Sequence, residues 1–124
     1  MNSIMLVFLG GGLGSVVRYL AGLSFSKSIN AFPYQTFLVN VIGSLLIGLL
    51  LGYFNTQEST NSQWKLLLVT GFCGGFTTFS TFSFETISLI KVNQIGTALI
   101  YVMLSLIVGL VATYIGYLLF ELKK

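Results

Sequence analysis

Four stretches of this 124-residue chain are apolar over the roughly 20 residues a helix needs to cross the hydrocarbon of a bilayer. They run over about Ile4–Leu23, Tyr34–Phe54, Trp64–Ile90 and Gln94–Phe120. The links between them, Ser24–Pro33, Asn55–Gln63 and Lys91–Asn93, are too short to hold a folded domain. The expected architecture is an all-α membrane protein, one four-helix domain over residues 1–124. Composition agrees: with 55% apolar and 7% charged residues, the charges cannot solubilise the apolar surface in water. The segment Met1–Ile4 has no basic region and no small-residue cleavage site follows it, so the first stretch reads as a helix and not a leader.

The chain has no His and no Asp, only Glu58, Glu85 and Glu121 as acids, and the single Cys73. Serine-histidine triads, Asp dyads and His/Cys metal cages all lack their parts, so no catalytic residues are expected and the chain reads as a non-enzyme. Cys73 reads as a small buried hydrophobe. A net charge of +3, scattered along the chain, does not suggest nucleic acid. Counted by membrane side, the cations tie: Lys65, Lys123 and Lys124 against Arg18, Lys27 and Lys91. Such a balance suits a protein that inserts in both orientations.

Small residues recur four apart, at Gly10 and Gly14, Ser44, Gly48 and Gly52, Gly71 and Gly75, and Ser105 and Gly109. This spacing lets helix backbones approach closely inside lipid. Four helices enclose a pathway poorly, so some of these stripes are expected at a dimer interface, the alternative being packing within one subunit. The Gly10–Gly14 run lacks the preceding strand and the third glycine of a dinucleotide fingerprint.

The third stretch holds the most informative residues, Gly71–Ser83. A Gly74–Gly75 pair followed by Thr77, Thr78, Ser80, Thr81 and Ser83 predicts a helix break at mid-membrane, with Thr77 or Thr78 capping the second half. Broken backbone is tolerated there only where protein buries it or it lines a polar cavity. The carbonyl end of the first half suits a small cation, the amide end of the second an anion. The alternative is that the hydroxyls merely back-bond to helix carbonyls. Phe79 and Phe82, with Phe76 before them, are expected on one stripe, where electropositive ring edges can line an anion path.

Asn40 lies on one face with Thr36 and Ser44, and reads either as interhelical glue or as a donor to an ion. Tyr101 and Ser105 present hydroxyls on one face of the fourth helix. Glu85 lies within a turn of Phe82 and Ser83, and reads as a functional group or an interfacial carboxylate. Arg18 reads as a gating or structural residue, or as one that snorkels to the headgroups. Such donors and ring edges, without a ring of fixed cations, suit a small, strongly hydrated anion. They do not separate fluoride from hydroxide.

Three motifs, Gly11–Tyr19, Thr36–Ser44 and Gly71–Ser83 with its Thr-Thr-Phe-Ser-Thr-Phe core, carry a resemblance to the Fluc/CrcB fluoride-channel family along essentially the whole chain. The family often has alanine where this chain has Ser15. The resemblance implies a passive fluoride-selective channel of the cell membrane that exports F⁻ from the cytoplasm. It implies an antiparallel, dual-topology dimer with two pores and one structural, untransported Na⁺. Its cation ligands would be the carbonyls of Gly74 and Thr77. Phe79 and Phe82 would be the pore phenylalanines, with Asn40 beside them. Ser80, Thr81, Tyr101 and Ser105 would form a polar track, with Glu85 by the pore. The implied partners are fluoride, lipid and a second subunit, identical or paralogous, and no nucleic acid. The competing classes are a proton-coupled four-helix exporter and a non-transporting assembly protein. The first needs a carboxylate in helix one, which has none, and the second leaves the Asn and Phe pattern unexplained.

Overall fold

A computed structural model describes residues 2–25, 31–57 and 62–122. Lys27, Glu58, Lys123 and Lys124 lie outside the described residues, as do parts of the first two links. Helix α1 is Ser3–Leu23 and α2 is Tyr34–Thr56. The third span, Ser62–Lys91, consists of two half-helices, α3 over residues 62–76 and α4 over Phe79–Lys91. Helix α5 is Ile95–Glu121. The four spans are long and apolar enough to cross a membrane. Their outer faces carry Phe8, Leu13, Tyr19, Phe84 and Leu110, each at least 60% exposed, a surface suited to lipid and not to water.

Local chemistry fixes the helix ends. Asn2 Oδ1 accepts from Ile4 N at 3.2 Å and caps α1. Pro33 precedes α2, and Phe32 before it packs edge-on against Phe37, a hydrophobic staple across the helix start. Between α4 and α5 the chain turns within three residues because Asn93 takes a left-handed conformation, φ 62°. Its N–H donates to Ile90 O and that of Gln94 to Leu89 O, closing the helix.

The helices pack as two glycine-mediated pairs. Gly10 and Gly14 of α1 lie against the backbone of α3, and Gly71 and Gly75 of α3 lie against the backbone of α1. A Cβ at Gly10 would meet Phe72 N at 2.9 Å, so only glycine permits this approach. Gly48 and Gly52 of α2 similarly face Thr113 and Tyr117 of α5, while Gly116 faces Leu45 and Gly48. Thr113 Oγ1 also donates to Ser44 O at 3.1 Å. These stripes therefore join helices of one chain, and the expectation that some of them serve a dimer interface is corrected for these glycines.

The first half of the third span contains Leu66–Cys73, wound as a π-helix, which the sequence did not foretell. The break lies at Thr77–Thr78 and not at the expected Gly74–Gly75, whose residues are helical. The third span changes partner there. Half-helix α3 packs on α1, whereas α4 packs on α5, where Leu89, Ala98 and Tyr101 form a buried cluster.

Candidate functional site

Thr77 and Thr78 are extended, with ψ 159° at Thr77 and φ −150°, ψ 113° at Thr78. Thr77 closes the first half-helix: its N–H and its hydroxyl both donate to Cys73 O, at 3.0 and 2.9 Å. Thr78 N–H then turns to Asn40 Oδ1 at 2.8 Å, and Asn40 Nδ2 donates to Thr78 O at 3.1 Å. This diversion leaves the Gly74 carbonyl without its usual ladder donor, which explains why the helix ends after the glycines and not at them. Thr78 Oγ1 accepts from Thr81 N at 3.3 Å, capping α4.

From the break, a line of aromatic and polar groups runs along α4. The ring centroids of Phe79 and Phe82 are 5.7 Å apart, and those of Phe82 and Tyr101 5.1 Å. The Tyr101 hydroxyl donates to Glu85 Oε2 and the Thr36 hydroxyl to Glu85 Oε1, each at 2.8 Å. Two hydroxyls thus hold one carboxylate, and charge-assisted bonds of this kind are stronger than neutral ones. Tyr101 is fully buried, while Phe79 is 77% exposed. Beside the break a groove of about 460 Å³ is lined by Asn40, Ser44, Gly74, Thr77, Thr78 and Phe79 among others.

Residues 5–117 match the family described as CrcB-like protein, Camphor Resistance (CrcB). The chain belongs to the CrcB/FluC family. The chain is 48% identical to a protein of Flavobacterium psychrophilum over 120 residues, 96% of this chain and 97% of the relative. It is 48% identical to one of Gloeothece citriformis over 117 residues, 94% of each. To one of Yersinia pestis it is 39% identical over 118 residues, 95% of this chain and 93% of the relative. The first two are named fluoride-specific ion channel FluC and the third fluoride-specific ion channel FluC 1. The family is one of channels and not of enzymes.

Most of the expected site residues meet around the break and α4, with some changes of role. Asn40 is interhelical glue in that both ends of its amide hold Thr78, although its second amide hydrogen has no partner among the described residues. Arg18 does not snorkel: Nη1 donates to Thr77 O at 3.0 Å, at the end of the first half-helix. Glu85 is not a free interfacial carboxylate, since Thr36 and Tyr101 hold it. Phe76 departs from the expected stripe. The extended pair Thr77–Thr78 interrupts the helical period, and Phe76 is buried in a stack on Phe72, centroids 5.9 Å apart.

The five hydroxyls of the stretch divide their roles. Thr77 and Ser83 back-bond to carbonyls four residues earlier, as the alternative reading held. Ser80 and Thr81 are exposed, with their hydroxyls 3.5 and 3.0 Å from Thr78 Oγ1. Ser105 Oγ is buried with no hydrogen-bond partner, the one such side-chain atom among the described residues. Phe32, absent from the sequence-based expectation, packs edge-on against Tyr101 with centroids 5.3 Å apart. Its signal was the aromatic residue placed directly before Pro33 at the start of a span.

Proposed function

We propose that this chain is a passive fluoride-selective channel that exports F⁻ from the cytoplasm as an antiparallel, dual-topology dimer. The observation that carries this reading is the continuous line Phe79, Phe82, Tyr101 and Glu85, beginning beside the Asn40-clamped break. Ring edges along it, with the hydroxyls of Ser80 and Thr81 beside it, can replace water around a small anion without holding it as a fixed cation would. The name carried by relatives that are 48% identical supports fluoride as that anion. Asn40 offers its remaining amide hydrogen. Ser80, Thr81 and Ser105 extend the polar track, and Phe79 and Phe82 line it. Exposed hydroxyls on a membrane span need polar cover, which supports a second subunit over this face, identical or paralogous.

A structural Na⁺ belongs to the same proposal. Gly74 O, released from the helix ladder, and Thr77 O are hard oxygens at the carbonyl end of a half-helix, a donor set that fits such an ion. Bound there, the ion would neutralise these carbonyl dipoles and tie two subunits together without crossing. Arg18 already donates to Thr77 O, so its charge opposes the ion.

The test is fluoride efflux from liposomes holding only the purified protein. Rapid passive efflux of fluoride with no matching chloride release is expected. Efflux that requires a proton gradient would support the exporter instead, and none at all would support a non-transporting role.

A further inference from the structure

We infer that Phe32 is a positioning residue for conduction, holding the Tyr101 hydroxyl on Glu85 from outside the ion path. This rests on the proposed reading that the anion passes Tyr101 and Glu85.

Tyr101 is fully buried, and two aromatic rings bear on it. Phe82 belongs to the line along α4, whereas Phe32 comes from the segment before α2 and meets Tyr101 edge-on, interplanar angle 80°. Phe32 is itself held in place: Pro33 fixes the backbone after it, and Tyr34 and Phe37 pack on its ring with centroids 4.8 and 5.4 Å away. It has no polar side-chain atom, so it acts on the carboxylate through the tyrosine ring it supports.

That support matters because the tyrosine hydroxyl is one of only two side-chain donors on Glu85 among the described residues. If the ring tilts, Glu85 Oε2 loses its donor and the carboxylate is held by Thr36 alone. A carboxylate freed in this way repels an approaching anion more strongly. Phe32 therefore tunes the local charge of the path from a position that never touches the ion.

The experiment compares Phe32→Ala, Tyr101→Phe and their combination with the parent, reading fluoride efflux per reconstituted protein and thermal midpoint in detergent. Phe32→Ala is expected to slow efflux by about threefold to tenfold, the scale of one aromatic pair. In the Tyr101→Phe background, where no hydroxyl is left to position, it should slow efflux no further, although the midpoint should fall in both backgrounds. Phe32→Tyr, which keeps the ring, should retain the parent rate. Equal slowing in both backgrounds, or no slowing by Phe32→Ala in a parent that Tyr101→Phe does slow, would overturn the positioning role and leave the pathway intact. A parent rate in Tyr101→Phe would instead overturn the pathway through Tyr101. Should Phe32→Ala not assemble, Phe32→Leu gives the same comparison, since it removes the ring and keeps most of the volume.

Discussion

Asn40 grips Thr78 by both backbone groups, accepting from its amide at 2.8 Å and donating to its carbonyl at 3.1 Å. One side chain on α2 thus takes over the hydrogen bonding that a continuous third helix would have supplied. The break is a contact between two spans, not a weakness of the glycines before it.

Asn40→Asp keeps the acceptor for Thr78 N–H but sets a carboxylate against Thr78 O. The lost bond and the new repulsion should cost about 1–3 kcal/mol of stability. Fluoride efflux should fall at least about tenfold, because the remaining amide hydrogen is lost as well. Thermal midpoint and vesicle efflux, measured on the same preparation, check both. Parent values in both would mean the clamp is dispensable.

Phe79 and Phe82 separate packing from conduction. Phe79 is 77% exposed within its own chain, whereas Phe82 packs on Tyr101. Phe82→Ile should therefore lower stability by about 0.5–1.5 kcal/mol for each of its two ring pairs, and Phe79→Ile, which loses one pair at an exposed position, by less. Both should slow fluoride efflux by removing electropositive ring edges. Ile variants that assemble and conduct like the parent would rule out ring edges as the lining.

Gly75→Ala and Gly12→Ala differ by a single methyl group in two environments. The methyl at residue 75 would strike Gly11 O, while the one at residue 12 meets nothing within 4 Å. Overpacking should cost Gly75→Ala about 1–3 kcal/mol. Gly12→Ala should gain a few tenths through helix propensity. Thermal unfolding of the two variants under one detergent condition decides it, and equal midpoints would contradict the close approach of α1 and α3.

Arg18 and a Na⁺ would share Thr77 O. Replacing the guanidinium by a neutral amide, Arg18→Gln, should strengthen Na⁺ binding by about tenfold or more, since two unit charges a few ångströms apart repel by a few kcal/mol even under partial screening. Thermal midpoint as a function of Na⁺, with a bulky organic cation as the balancing salt, reads the shift. A weaker Na⁺ response in Arg18→Gln would mean that the arginine orients the carbonyl for the ion.

The spans were legible because hydrophobic length is a local property, and so was a threonine cap, though the choice between Thr77 and Thr78 was open because either hydroxyl could cap the second half or back-bond to the first. The exact break was not, since it depends on Asn40, 38 positions away. Arg18 stayed open between a structural residue and a headgroup anchor for the same reason: near the end of a span it has the profile of either, and only the fold brings Thr77 O within reach. The glycine stripes announced close packing but not their partner, because a four-residue repeat has the same form against a neighbouring helix as against another copy. Removing Arg18, which is held inside the fold, from the loop tally also changes the charge balance, from three against three to Lys65, Lys123 and Lys124 against Lys27 and Lys91.

The change of partner at Thr77–Thr78 divides the third span into an anchor and an arm. The anchor is buttoned to α1 by glycines that tolerate almost no substitution, while the arm leans on α5 through side chains that can be exchanged one at a time. Sequence drift can therefore retune the arm's rings and hydroxyls without unfastening the anchor. A chain of this size gains two independent regions of variation from one two-residue hinge.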